Sequence, residues 1–315
     1  MKPPFDILVA GEINPDLIPS GNVIPEFGQA EKLVDSADLP VGSSSAIFAC
    51  GAARLGLKVA FSGICETDIF GRFMLDELSQ GGVDVSGVII HPLLPTGLSV
   101  ILNGPLGDRA ILTHAGAINR LQAEQVTPDR LQTALQTGLP DLFQRAHALG
   151  LTTSLDSNWE PSGEWRGFDD LLGRVDIFLP NEKEALAISG LPNTEATAKA
   201  LARKSHLVAV KQGGRGALAC SGDTLIHAPA VPVQIVDSFG AGDSFDAGFL
   251  YGFLNGWSLE KTLFLAATCG FLSTRRPGGT AGQPTLVEAV IPKAVAFIPL
   301  YDCQSDTYHE VKFPR

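Results

Sequence analysis

Long apolar runs are missing from this 315-residue chain. No stretch approaches the roughly 18 consecutive apolar residues that a bilayer-spanning helix needs. The start, "MKPPFDILVAGEI", carries one lysine, a Pro-Pro pair and an apolar run too short and too acidic for a secretory signal. The five cysteines (Cys50, Cys65, Cys220, Cys269, Cys303) are odd in number, far apart and free of any CxxC pair or Cys/His grouping. That pattern argues against a structural zinc or a disulfide framework and for reduced thiols in a cytoplasmic protein. The six histidines are scattered and offer no metal spacing. Positive charge is scarce: 23 Lys and Arg against 34 Asp and Glu give a net charge of −11. A nucleic acid or an acidic membrane would be repelled on average, whereas a small anion can still be held by local amides, a few cations or a metal. Also absent are a GxxxxGK[ST] loop, a GxGxxG after the first strand, internal repeats, low-complexity tracts and coiled-coil heptads.

What is present is a rhythm of short apolar runs alternating with amphipathic segments. "DILVAGEI" (6–13) reads as a strand, "SSAIFACGAARLG" (44–56) as a helix, "KVAFSGI" (58–64) as a strand and "DIFGRFMLDELSQGG" (68–82) as a helix stopped by glycine. Further along come "LTTSLD" (151–156), "VDIFLP" (175–180), "NEKEALAIS" (181–189) and "HLVAVKQG" (206–213). Strands and helices of these lengths in alternation predict an α/β fold with a doubly wound, mostly parallel sheet. Two regions break the rhythm. Residues 14–40 are rich in Pro, Gly and charge, with a β-compatible piece around Glu31–Leu39, and residues 83–113 hold several short β runs separated by turn residues. Together, 14–40 and 83–113 are expected to form a small β lid over a cleft. The α/β domain would then take 1–13, 41–82 and 114–315.

The most informative stretch is "VDSFGAGDSFDAGFLYGFL", Val236 to Leu254. Phe245, Phe249 and Phe253 recur every four residues, so a helix with a buried face begins close to Gly240. Its first turn leaves backbone N–H groups without internal partners, the dipole adds positive charge there, and glycines let an anion approach closely. Asp243 would sit beside the same place, where a carboxylate can accept the proton of a hydroxyl attacking phosphorus. A helix start with a favourable acid in its first turn would look the same in this stretch alone.

The company that the segment keeps favours the first reading. Asp237-Ser238-Phe239-Gly240-Ala241-Gly242-Asp243 resembles the C-terminal signature Asp-Thr-x-Gly-Ala-Gly-Asp of the ribokinase-like (phosphofructokinase-B type) carbohydrate kinase family. "VGSSSAIFACGAARLGLKVAFSGICETDIFGRFMLDEL" is similar to the family's N-terminal signature, and "TGLSVIL", "RAILTHAGA", "SLDSNW", "FLPNEKEAL" and "VAVKQGGRGAL" fall in the family's order. The resemblance covers most of residues 6–289 and implies an ATP-dependent sugar kinase that uses Mg2+, with K+ beside it in several members. It further implies Asp243 as general base, and Gly240, Ala241 and Gly242 as amide donors to the transferring phosphoryl group. Asp16, in "GEINPDLI", would bind sugar hydroxyls, although a turn Asp after Pro15 is the alternative. Gly42 and Ser43 occupy the family's Gly-Gly pair beside the sugar. Asn181 and Glu184 match an Asn-x-x-Glu motif that handles magnesium, through water, and phosphate; a helix cap with acids in its first turn is the alternative. "KQGGRG", with Lys211, Gly213 and Gly216, matches the nucleotide-side loop, and Asp237 a monovalent-cation position. The expected partners are a sugar and ATP, with a homodimer through the lid as a further expectation and "VIIHPLL" as its candidate apolar face. A nucleoside kinase and a catalytically silent sugar- or nucleotide-binding relative are the alternatives.

Four positions depart from the family. Ile47 stands where an Asn contacts the sugar, and Glu66 stands where a Gly is usual. Where a buried central strand belongs, the chain offers the polar, helix-compatible "LQAEQVTPDRLQTALQTGLP". The sheet is then one strand short, or an unusual element fills the gap, or a piece is absent from the sequence. The tail "IPKAVAFIPLYDCQSDTYHEVKFPR" has no family counterpart.

Overall fold

The computed structural model describes residues 5–28, 30–104, 109–118, 120–126, 139–157, 165 and 167–290. The first apolar run forms β1 (Ile7–Ala10), all four residues of which are buried. The chain then leaves the core through β2 (Asp16–Ser20) and β3 (Ser36–Asp38) and returns at α1 (Ser44–Arg54), whose N-terminus is capped by Ser43. Gly56, at φ 104°, turns the chain into β4 (Val59–Ser62) and β5 (Ile64–Cys65). Asp68 caps α2 (Ile69–Gln80), followed by β6 (Val83–Asp84), β7 (Ile89–Ile90), β8 (Leu98–Asn103) and β9 (Arg109–His114). The C-terminal half runs α3 (Leu139–Ala148), β10 (Ser154–Leu155), α4 (Phe168–Leu172), β11 (Ile177–Phe178), α5 (Glu182–Ser189), α6 (Thr194–Ala202) and β12 (Leu207–Lys211). The hairpin β13 (Ala217–Ser221) and β14 (Thr224–Ala228) follows, and then α7 (Ala241–Leu254), α8 (Leu259–Ser273) and α9 (Leu286–Val290).

Parallel pairing gives the order β1-β4-β6 in one sheet and β10-β11-β12 in another, the second extended by antiparallel β13 and β14. Helices cover both faces. On one face, Ile7, Val9, Ile177, Leu179 and Ala209 pack with Ala46 of α1, Phe249 of α7 and Leu263 of α8. On the other, Leu8, Ala10, Phe178, Val208 and Val210 pack with Phe143 of α3 and Leu201 of α6. This is the doubly wound α/β arrangement, and both cores run across the two sheets as one body.

The described strands fall into two main sheets, on either side of the place where a central strand was expected. Among the described residues no backbone pairing joins β1 to β10. A cleft of about 420 Å³, lined by Ile7, Ser154, Ile177, Tyr251 and Leu254 among others, lies between them. Most of the polar stretch 121–140 and all of the tail 291–315 fall outside the described residues.

The lid sheet has the order β3-β2-β8-β9. It draws less of the 83–113 region than its turn-rich composition suggests, because β6 pairs with β4 in the main layer and β7 pairs with β5. Two-residue strands carry too little periodicity to reveal their partners. "VIIHPLL" therefore lies beside β5 and off the lid sheet, whose exposed apolar residues include Ile111 and Leu112 of β9. No described helix is long and apolar enough to cross a membrane.

Candidate active site

The functional candidates gather at the carboxyl ends of the strands, where open α/β sheets form their crevices. Asp16 follows β1, Asp156 follows β10, Asn181 follows β11, Lys211 ends β12, and the N-terminus of α7 closes the group. At that N-terminus Gly240 takes a left-handed conformation (φ 70°). A Cβ there would come within 2.7 Å of the Gly279 Cα and 2.9 Å of the Ile47 side chain, so both the dihedral and the space demand glycine. No side chain caps α7, whereas α1, α2, α5, α6 and α8 are capped by Ser43, Asp68, Asn181, Asn193 and Ser258. An uncapped helix start lined by Gly240, Ala241 and Gly242 suits an oxyanion.

Asp243 sits in the first turn of this helix. Burial pushes its carboxyl up to about 7, helped by the charge of Asp156 and opposed by Lys211 and by a hydrogen bond from Ser44. A carboxylate poised near neutrality is well matched to taking a proton from a hydroxyl. Lys211 is the nearby cation. Its Nζ donates to Asp156 Oδ1 at 2.9 Å and to Asp246 Oδ2 at 2.9 Å and Oδ1 at 3.2 Å. Burial works against the ammonium, but Asp156 and Asp246 outweigh it and raise its pKa. The same ammonium lies 3.6 Å from where a Cβ on Gly242 would stand, beside the helix start. Asp156, Asp243 and Asp246 bring carboxylate oxygens within 4.8 Å of one another, and Lys211 supplies the compensating charge.

Next to this cluster is a pocket of about 170 Å³ lined by Gly213, Gly216, Ala241, Gly242, Phe245 and Phe271 among others. Gly216 is obligatory: at φ 94°, a Cβ would fall 2.1 Å from the Ala228 carbonyl oxygen. On the opposite side Asp16 is buried at the start of the lid strand β2, backbone-paired with Ser99 of β8. Burial raises its carboxyl to about 7 against a hydrogen bond from Ser99; Glu12 pushes it up and Arg109 pulls it down. Gly42 makes room for that carboxylate, since a Cβ would lie 2.5 Å from Asp16 Cγ. Ser43 keeps the left-handed backbone of a glycine (φ 60°), the one non-glycine among the described residues to do so. Its hydroxyl compensates by donating to the Glu12 carbonyl at 2.8 Å and accepting from the Ala46 N–H at 3.1 Å.

Asn181 and Glu184 form a reciprocal capping box at α5, each side chain accepting from the other's backbone N–H at 3.0 Å. Glu184 is buried and also accepts from Ser157 at 3.2 Å. Burial raises its carboxyl, as does Asp156. The cap thus exists, and it holds hard oxygen donors a short way from the Asp156–Lys211 pair, a donor set that fits Mg2+ through water. Asp237 is spent on structure: its two carboxylate oxygens accept from Phe239 N–H at 3.0 Å and Gly278 N–H at 2.9 Å. Ile47 is buried against Gly240 and Gly279, directly behind the start of α7.

Asp156, Asp246, Glu12 and Ser44 were not singled out from the sequence. A signal existed for Asp246, an acid three residues after Asp243 on the same helical face in an otherwise apolar run. None existed for its pairing with Lys211, which lies 35 residues away on β12.

Solved structures share this fold. The Arabidopsis thaliana ribokinase complexed with ribose and ATP superposes with a TM-score of 0.79 at 24% identity, over 92% of this chain and 98% of that one. A candidate ribokinase II of E. coli in complex with ATP and Mg2+ gives 0.80 at 24% identity, over 90% and 97%. In sequence, the 2-dehydro-3-deoxygluconokinase of Bacillus subtilis is 30% identical over 287 residues, 82% of this chain and 88% of its own. The family description "pfkB family carbohydrate kinase" matches residues 44–286. An uncapped glycine-led helix start, a carboxylate poised beside it and this breadth of match lead to one conclusion: the chain belongs to the pfkB family of carbohydrate kinases.

Proposed function

We propose that the protein transfers the γ-phosphoryl group of ATP to a hydroxyl of a small sugar or sugar acid, with Asp243 as general base. The observation that carries this reading is the position of Asp243, raised to about 7, in the first turn of an uncapped helix. ATP would occupy the pocket beside Gly213 and Gly216, with its γ-phosphate towards the amides of Gly240, Ala241 and Gly242 and the Lys211 ammonium. Bound Mg2+ would neutralise charge between the phosphates, held through water by Asn181 and Glu184. The acceptor would lie between Asp16 and Asp243. Asp16 accepts hydrogen bonds from its hydroxyls while Asp243 takes the proton of the attacking one, and amides and ammonium together hold the charge on the phosphoryl oxygens. Closure of the lid sheet would exclude water and suppress ATP hydrolysis.

The acceptor side carries Asp16 and Glu12 with Arg109 as a nearby cation. That balance suits a neutral sugar or a singly charged sugar acid better than a sugar phosphate, and 2-dehydro-3-deoxygluconate and ribose, the substrates named for relatives, are first choices. A K+ ion beside Asp237 would have to share its carboxylate with the Phe239 and Gly278 amides. The test is ATP consumption with Mg2+ and K+ over a panel of sugars, sugar acids and nucleosides, run with the wild type and Asp243→Asn. Acceptor-dependent turnover that falls at least ~100-fold in the variant supports the reading. A folded wild type that consumes ATP with no acceptor on the panel refutes it.

A further inference from the structure

Lys211 stands beside the phosphoryl site, but it does not stand there unaided. Its side chain, 12% exposed, reaches up from the end of β12 between two carboxylates of unequal burial: Asp156, 28% exposed, and Asp246, 5% exposed. Asp246 engages the ammonium with both oxygens, at 2.9 and 3.2 Å, from the second turn of α7. A buried acid facing an apolar helix core costs free energy unless it is paired, so its presence asks for a use. We propose that Asp246 is a positioning residue for phosphoryl transfer: it clamps the Lys211 ammonium next to Gly242, where that ammonium meets the phosphate bound at the start of α7.

The geometry divides the labour between the two acids. Asp156 contacts Lys211 through one oxygen at 2.9 Å and is open enough to be displaced when a triphosphate arrives. Asp246 lies one helical turn below Asp243 and moves with the same rigid helix that presents the amides, so donor amides, base and cation keep a fixed relation. Without Asp246 the four-carbon stem of Lys211 is free to follow Asp156 away from Gly242. The groups that set the charge around Asp243 come from every neighbouring element. They are Glu12 after β1, Ser44 of α1, Asp156 after β10, Lys211 of β12 and Asp246 on its own helix, while Glu184 of α5 acts on Asp156 and Lys211.

The inference rests on the kinase reading, and its test is a double-mutant cycle on the whole chain with Asp246→Asn, Lys211→Met and both together. Three readouts are taken: binding of the Mg2+ complex of the non-hydrolysable ATP analogue AMP-PNP, kcat against pH with the best acceptor, and thermal melting. Each single change is expected to weaken nucleotide binding or turnover by roughly 10- to 100-fold, and Asp246→Asn is expected to add almost nothing once Lys211 is gone. The pH profile separates clamp from bystander. If Asp246 acts by holding the cation, Asp246→Asn moves the acid limb of kcat to higher pH; if it were only a negative neighbour of Asp243, the limb would move to lower pH. Melting gives a further check that needs no activity: Lys211→Met alone strands a buried carboxylate, so the double variant should melt higher than that single one. Additive losses, or a limb displaced to lower pH, overturn the inference while leaving the kinase intact. A wild type with no turnover on any acceptor sinks the kinase reading instead, and the binding cycle still decides the clamp. A wild type that binds no nucleotide removes both.

Discussion

At its N-terminal end α7 meets loops from both sheets through close contacts: Gly240 against Gly279 and Ile47, Asp243 against Ser44, Asp246 against Lys211. At its C-terminal end the residues from Leu250 to Asn255 border the cleft between β1 and β10, and Phe253 and Leu254 are exposed. One helix thus joins the two sheets tightly at their carboxyl edge and loosely at the opposite edge. The proposed chemistry sits at the tight end. Among the described residues no backbone pairing joins β1 to β10, and the two apolar cores span both sheets.

Substitutions at the two ends sharpen this contrast. The largest effect is expected from Gly240→Ala, where both a left-handed backbone and contacts below 3 Å oppose a methyl group. Displacing the amides should lower kcat/KM by about 100-fold or more, read by steady-state kinetics on protein shown to be folded by circular dichroism. At the other end, Leu250→Ala removes a buried side chain from the core and should cost about 2–4 kcal/mol in denaturant unfolding, with KM for ATP unchanged. Leu254→Ala, nearly half exposed, should cost under about 1 kcal/mol. A large loss of kcat in folded Leu250→Ala protein would break the comparison, since it would couple the loose end to the chemistry. The smallest effect is expected from Ser43→Gly. It relieves the left-handed φ but loses a helix cap and the bond to the Glu12 carbonyl, each on the order of 1 kcal/mol, so unfolding should shift by less than about 1 kcal/mol.

Much of this was legible in the sequence because it is local. The alternation of strands and helices, the glycine-led start of α7 and the cap at Asn181 each depend on a handful of consecutive residues. The stretch 121–140, which lacks an apolar β run in the sequence, lies mostly outside the described residues. What escaped was pairing between distant segments. Lys211 finds Asp156 and Asp246 across 55 and 35 residues, and no periodicity in any one segment points to them. The lid boundary escaped for the same reason, as β6 and β7 choose partners in β4 and β5 that their own two residues cannot specify. For Asn181 and Glu184 the helix cap that their spacing also suggested is present as a reciprocal capping box.

The most direct test of the account is the pH dependence of kcat/KM for the wild type beside Asp243→Asn. The base must be ionised to act, so activity should fall as pH drops through about 7, where burial and Asp156 have moved the Asp243 carboxyl. The variant should lose at least ~100-fold and show no such limb. Wild-type turnover retained in Asp243→Asn, with the same limb, would contradict the central claim that this carboxylate takes the proton.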